Sequence, residues 1–499
     1  MSEHHTTRKN VQIEGRAMQH RQKIQRRKLF AAGLGGSMFG LSSSVSQASK
    51  FMDESEVHDV IVVGAGACGL TAAKELLDLG HSVLVLEASR RHGGRIRSHT
   101  LGDTRIELGA EELYLRRDNP LYQPLLSELG RNGLVDAYVG STFFSLDGKA
   151  PRSEDSKAIG RDRDVRNYQE YLGLYGNLKQ HRDFSITAAD DVLSRYNVDR
   201  EHRAYHLYEN GFAGAVFGAS LDQLGAAGLA IQDTCWALSD SVRGIGHREI
   251  GYLDLLDKAW WTNALRHVKL NAPVTEIDRR GQFVIVKEAS GVLHRARKVV
   301  VTASIGVLQA GSIRFTPELP GKTVDAYRNI GMGHGMKIAL RFREQFWPDE
   351  MSYLTHEGLS SNCWSPSRYK RGSNSHILMC YPMGHHADQL HTVAAADPEK
   401  LLRVCVEELD RMFAGVPSQA YLDGVVQDWT AEPHVRGSYS YPMQRTYTSV
   451  ESSKRKDLRI SVEDKVFFAG EATNHHNPST VPGAVQEGQR VARTLDGLL

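Results

Sequence analysis

Val60-Ile-Val-Val-Gly-Ala-Gly-Ala-Cys-Gly69, followed by Ser82-Val-Leu-Val-Leu86 and Glu87, decides the fold of this chain. Val60 to Val63 is a β-branched run, Gly64-x-Gly66-x-x-Gly69 follows at once, and Leu70, Ala73, Leu76 and Leu77 then recur at helical spacing. The order is strand, tight turn, helix. Glycines there leave the backbone bare, so a pyrophosphate can rest on the positive helix end, where unpaired N–H groups and the macrodipole favour an anion. Glu87 closes a second strand about twenty residues past the glycines, where a carboxylate accepts from ribose hydroxyls and disfavours a 2′-phosphate. A glycine triplet alone also occurs in ordinary loops; strand, helix and acid in register point to a dinucleotide site.

Further segments carry chemistry. In Arg90-Arg-His-Gly-Gly-Arg-Ile-Arg97 the glycines bring the loop toward the same phosphates and Arg95 offers a forked guanidinium, the alternative being a solvated basic loop. Met336-Lys-Ile-Ala-Leu-Arg-Phe342 alternates, with Met336, Ile338, Leu340 and Phe342 on one face of a strand and Lys337, Ala339 and Arg341 on the other. That pattern alone makes Lys337 a solvent-facing lysine. Phe467-Phe-Ala-Gly-Glu-Ala-Thr473 leads to Pro482-Gly483, which open a helix whose Ala484, Val485, Gly488, Val491, Ala492 and Leu495 share one face.

The run from Val60 to Arg97 resembles the flavin-binding opening of the FAD-dependent amine oxidase family, which includes monoamine oxidases, polyamine oxidases, flavin histone demethylases and L-amino-acid oxidases. Four later segments agree with its polyamine oxidase and demethylase branch: Lys298 to Leu308 with Ile313 to Pro320, Lys337 before Phe346-Trp347, Trp429 with Arg436-Gly-Ser-Tyr-Ser-Tyr441, and the closing segment. The match runs from about residue 57 to 499, with little of it between about 125 and 240. It implies FAD held by Gly64, Gly66, Ala67, Gly69, Glu87, Ala88, Gly94, Arg95, Gly109, Ala110, Val274, Trp429, Gly470, Glu471, Thr480, Val481 and Ala484. Glu471 is expected near the ribityl chain and phosphates, and the closing helix points its positive end at the flavin pyrimidine ring. Lys337 is implied as the catalytic lysine that holds a water at flavin N5, with Tyr439 and Thr480 flanking the face where the amine arrives. Asn474 to Val481 has no cysteine like the one that bonds flavin in monoamine oxidases, so noncovalent FAD is expected.

Departures from the family pattern bear on the substrate. Where polyamine oxidases place Glu or His four residues past the alanine of Glu107-Leu-Gly-Ala110, Tyr114 stands here, and where L-amino-acid oxidases place arginine, Glu111-Glu112 stand. The two acids either attract a cationic amine or are simply solvated, the second being favoured, and Glu112 and Tyr114 are substrate candidates. Arg116 and Arg117 remain as carboxylate ligands by a shifted register.

The resemblance implies amine oxidation to an imine by hydride transfer to N5, with O2 or a periplasmic electron acceptor reoxidising the flavin. An L-amino-acid oxidase or an amine dehydrogenase is the alternative. The composition, 499 residues with 41% hydrophobic and 24% charged, is ample for a large core. Five scattered cysteines without a Cys-x-x-Cys pair suggest neither a disulfide framework nor zinc, and no metal is expected among the 22 histidines. Residues 1 to 48 carry a net +6, leaving −4 for the rest, so no nucleic-acid surface is implied beyond them. Arg26-Arg27, a glycine-rich apolar run to Val45 and Ser46-Gln-Ala48 read as a twin-arginine export signal that engages the translocase, too short for a permanent membrane span. A periplasmic or secreted location follows from that reading.

The expected fold is α/β (α+β), a Rossmann-like FAD-binding domain from residues 57–125, 243–310 and 440–499. A substrate domain of mixed sheet plus helices is inserted as 126–242 and 311–439. Thr187 to Asp240 reads as helical, with an Ala-, Gly- and Leu-rich run from Ala215 to Leu229. Gln282 to Glu288 and Val292 onward flank Ala289-Ser290-Gly291 as a hairpin ending in Val299 to Val301.

Overall fold

Strand Val57–Val63 lies between two parallel neighbours, Val83–Leu86 and Leu293–Val301, in a computed structural model describing residues 56–114, 119–136, 139–178, 188–194, 200–201, 203–235 and 242–499. The expected export signal and Arg116 and Arg117 fall outside the described residues. The sheet runs Val268–Lys269, Val83–Leu86, Val57–Val63, Leu293–Val301, Val284–Glu288, Val274–Asp278, Arg314–Thr316, with Val466–Phe468 added in parallel to Leu293–Val301. Segments some four hundred residues apart thus share one sheet, and strand Arg314–Thr316 joins it from beyond residue 310. The hairpin of Val284–Glu288 and Leu293–Val301 turns at Gly291, whose φ of 92° suits glycine.

Alternate residues of the central strand feed two cores, Val60 and Val62 on one face, Ile61 and Val63 on the other, as expected for a sheet covered on both sides. Helix Ala67–Asp78 and the closing helix Val481–Asp496 cross on the first face. Their approach needs Gly488, because a Cβ there would stand 2.6 Å from the Cys68 carbonyl oxygen.

A second sheet runs Tyr421–Asp428, Met336–Phe342, His376–Cys380, Cys363–Trp364, Met351–His356, Ser141–Ser145, Arg152–Ser153. One face of Met336–Phe342 buries Met336, Ile338, Leu340 and Phe342 against helix Pro398–Met412. Its other face is not solvent: Ala339 packs with Trp364, Ile377 and Met379, and Lys337 is only 5% exposed. The alternation assigned the faces, but the cover over the second comes from elsewhere in the chain.

In the intervening segment the described residues are helical at Ala189–Ser194, Arg203–Tyr208, Glu209–Phe217 and Ala226–Cys235. The Ala215 to Leu229 run is not one helix. Gly218, at φ 76°, ends the π-helical turns of Glu209–Phe217, and a turn separates them from the next helix. No helix among the described residues is long and apolar enough to cross a membrane.

Candidate active site

The glycine turn occupies the carboxyl ends of the parallel strands, where open α/β sheets bind ligands. Gly64 takes φ 107°, and a Cβ on Gly69 would lie 1.9 Å from the Gly64 carbonyl oxygen, so both must be glycine. Helix Ala67–Asp78 begins at Gly66 without any side-chain cap, leaving its first N–H groups for an anion. The second glycine loop lies on the first: Gly93 N–H donates to the Ala65 carbonyl at 2.8 Å, and a Cβ on Gly94 would meet Gly66 Cα at 3.2 Å. Glu87 is buried at the end of its strand; its Oε2 accepts Ala65 N–H at 2.7 Å and its Oε1 accepts the Ser89 N–H and hydroxyl at 2.8 and 2.7 Å. A carboxylate has about four lone-pair sites, so it braces the turn and keeps capacity for a ribose. Half-buried Ala88 follows it.

Arg95 is held from behind. Its Nη1 donates to Glu471 Oε1 at 2.8 Å and to the Ser438 carbonyl at 3.0 Å, and Gly109 is excluded from carrying a side chain because a Cβ would stand 2.0 Å from the Arg95 carbonyl oxygen. Ala110 N–H donates to that same carbonyl. Glu471 also accepts from the Ser440 hydroxyl at 2.6 Å and Ser479 N–H at 2.9 Å. Burial pushes its carboxyl up, but the Arg95 and Arg455 guanidiniums and the Ser440 hydroxyl outweigh it and hold Glu471 below the usual range. Both Glu471 oxygens are therefore engaged by protein donors, and its action on a cofactor runs through the arginine it anchors. Gly470, at φ 154°, would present a Cβ to open space on the same side.

The remaining expected cofactor residues line the same assembly. Val274 starts the strand paired with Glu288, and Trp429 donates its indole N–H to the Leu108 carbonyl at 3.0 Å. Thr480 is the N-cap of the closing helix: its Oγ1 accepts Gly483 N–H at 3.0 Å and donates to the Asn477 carbonyl at 3.0 Å, with Val481 and Ala484 in the first turn. The hydroxyl is thus committed to the helix start, leaving the Thr480 methyl as the wall it can offer. A bare helix start at Gly66, glycines without room for Cβ and an anchored arginine fit a flavin dinucleotide.

Lys337 reaches back toward the loop after residue 107. Its Nζ donates to Glu111 Oε2 at 2.7 Å and to the Glu107 carbonyl at 3.2 Å, and it lies 5.1 Å from the Trp364 ring centre and 5.7 Å from that of Tyr381. Glu111 Oε1 accepts Trp364 indole N–H at 3.1 Å and the Tyr369 hydroxyl. The expectation that Glu111 is solvated is wrong. Burial raises its carboxyl, yet the Lys337 ammonium with the Tyr369 and Trp364 donors holds it below the usual range. A buried carboxylate survives only when its charge and lone pairs are answered in this way.

Tyr439 and Tyr381 share a hydroxyl contact at 3.3 Å; Tyr439 also donates to the Ala215 carbonyl at 3.2 Å, and its ring lies against Gly218, where a Cβ would stand 2.5 Å from Cε2. Tyr114 donates to Glu112 Oε2 at 2.7 Å. Glu112 lies within electrostatic reach of Tyr114, Tyr353, Tyr381 and Tyr439, whose hydroxyls burial already pushes well up. The structure therefore brings Glu112 and Tyr114 to the tyrosine chamber.

Sequence reasoning missed Trp364, Tyr369, Tyr381 and the fully buried Arg455, whose Nη1 donates to the Ser440 hydroxyl at 2.7 Å. Tyr381 and Trp364 follow strand alternation; Arg455 sits in the polar run Ser452 to Lys456 and carries no signal.

Residues 67–496 match the model of the flavin containing amine oxidoreductases, and the chain belongs to that family. It is an oxidoreductase acting on amines with FAD. Polyamine oxidase 2 of Arabidopsis thaliana is 27% identical over 87% of this chain and 87% of its own. Lysine-specific histone demethylase 1B of Mus musculus is 27% identical over 87% of this chain, which spans about half (52%) of that longer protein. In fold, putrescine oxidase bound to putrescine superposes with a TM-score of 0.72 at 19% identity, covering 88% of this chain and 99% of that one. Cyclohexylamine oxidase from Brevibacterium oxydans IH-35A gives 0.71 at 20% identity, covering 89% and 99%.

Proposed function

We propose that this chain is an exported amine oxidase taking a primary or secondary amine of the polyamine or monoamine type, with O2 reduced to H2O2. Bound FAD, held noncovalently, supplies the acceptor for the hydride leaving the amine α-carbon, and water hydrolyses the imine to a carbonyl compound. The observation that carries the reading is the chamber in which Lys337, Trp364, Tyr381 and Tyr439 meet. Aromatic faces suit an amine that must arrive neutral, because the protonated form lacks the lone pair that drives hydride loss. Similarity to polyamine, putrescine and cyclohexylamine oxidases favours a small amine.

The same chamber bears on the amino-acid alternative. Glu112 disfavours a substrate carboxylate by like charge. Mixing the purified holoprotein anaerobically with polyamines, monoamines and amino acids while following flavin absorbance tests this reading; bleaching by amino acids alone would replace it. Admitting O2 afterwards, and measuring peroxide, separates an oxidase from a dehydrogenase serving a periplasmic carrier. Arg26 and Arg27 are proposed to engage the twin-arginine translocase, placing the protein in the periplasm or outside the cell. A fluorescent protein fused behind residues 1–50 should remain cytoplasmic once both become lysine, and undiminished export would remove that assignment.

A further inference from the structure

Lys337 and Lys370 are both buried, and they are arranged differently. Among the described residues Lys370 donates to the carbonyls of His247 and Ile250, at 3.4 and 3.3 Å, and burial lowers its affinity for a proton. Lys337 instead meets a carboxylate directly. Glu111 is fixed at three points, by Lys337 from strand Met336–Phe342 and by Trp364 and Tyr369 from strand Cys363–Trp364 and the turn that follows it. A buried ion pair of this kind adds little to stability on its own, because desolvation consumes most of the attraction. What it does set is charge and direction. An ammonium has three N–H donors; among the described residues two are taken, by Glu107 and Glu111, so the third is aimed by the other two.

We propose that Glu111 is a positioning residue that fixes the Lys337 ammonium and sets how much positive charge this lysine presents to the bound flavin. The inference rests on Lys337 facing the flavin, as the proposed function has it. Reoxidation moves two electrons and two protons to O2, which leaves as H2O2, and negative charge develops on oxygen along the way. Positive charge nearby speeds that step, and a carboxylate 2.7 Å from the ammonium damps it. Glu111 thereby holds O2 reactivity below what Lys337 alone would give.

The test uses the holoprotein and the variants Glu111→Gln, Glu111→Asp, Lys337→Met and Glu111→Gln with Lys337→Met. Reduced flavin of Glu111→Gln should react with O2 about tenfold faster than the parent. Its oxidised flavin should bind sulfite, an anion that adds at flavin N5, about tenfold more tightly, a readout independent of turnover. Both gains should vanish when the Glu111→Gln change is made in Lys337→Met. Unchanged O2 and sulfite behaviour, or equal gains with and without Lys337, would overturn the assignment and leave Glu111 structural. Should Glu111→Gln fail to fold, Glu111→Asp, which keeps the charge but lengthens the pair, takes its place: a smaller gain of the same sign that Lys337→Met abolishes supports the proposal, and none refutes it. Failure of any amine to bleach the parent flavin would count against the proposed function instead.

Discussion

The glycine turn and the lysine chamber belong to different sheets and are shaped by opposite means. Around Gly64, Gly69 and Gly109 the structure depends on missing atoms, since a Cβ at Gly69 or Gly109 would lie 1.9 or 2.0 Å from a backbone oxygen. Around Lys337 it depends on filled positions: Glu111, Trp364, Tyr369 and the Glu107 carbonyl occupy the donors and acceptors of one buried ion pair. A site made by absence tolerates no addition. A site made by matched charges tolerates conservative change in shape but not in charge.

The largest effect should come from adding atoms to the turn. Gly69→Ala forces backbone against backbone, a strain of about 3 kcal/mol, so flavin affinity should fall by about a hundredfold or more, seen as colourless protein after dialysis. Yellow protein with parental affinity would show that the turn yields, and the contrast with the chamber would collapse. Lys337→Met comes next. It leaves Glu111 with its Trp364 and Tyr369 partners but removes the cation, and flavin reoxidation by O2 should slow by about 10²-fold in stopped flow while the colour persists. Equal reoxidation rates would take Lys337 out of the chemistry and make the chamber a packing feature.

Thr480, the cap of the closing helix, gives the smallest change. Thr480→Ala removes the helix N-cap, costing about 1 kcal/mol, and should lower Tm by about 2 °C. If Thr480 is only a cap, KM for the amine stays put; a KM rise without loss of Tm would make it a substrate wall instead.

How much was legible follows the same division. The turn could be read because its constraint is local: strand, glycines and helix are consecutive, and Glu87 is fixed by a second strand of known spacing. Strand alternation likewise placed Met336 and Lys337 on opposite faces. It could not say that Lys337 faces protein, since its cover, Glu111, Trp364 and Tyr381, comes from three distant segments. The same reason hid Glu111, whose burial depends on Lys337 more than two hundred residues away.

Consecutive residues, then, were enough for the strand–turn–helix, the alternating strand and the closing helix, because backbone sterics and side-chain period act between near neighbours. Tertiary structure alone decided which acid is paired and which lines the chamber, how Glu471 serves Arg95, and that Arg455 is buried, because the fate of a charge is settled by whatever the fold brings within a few ångströms of it.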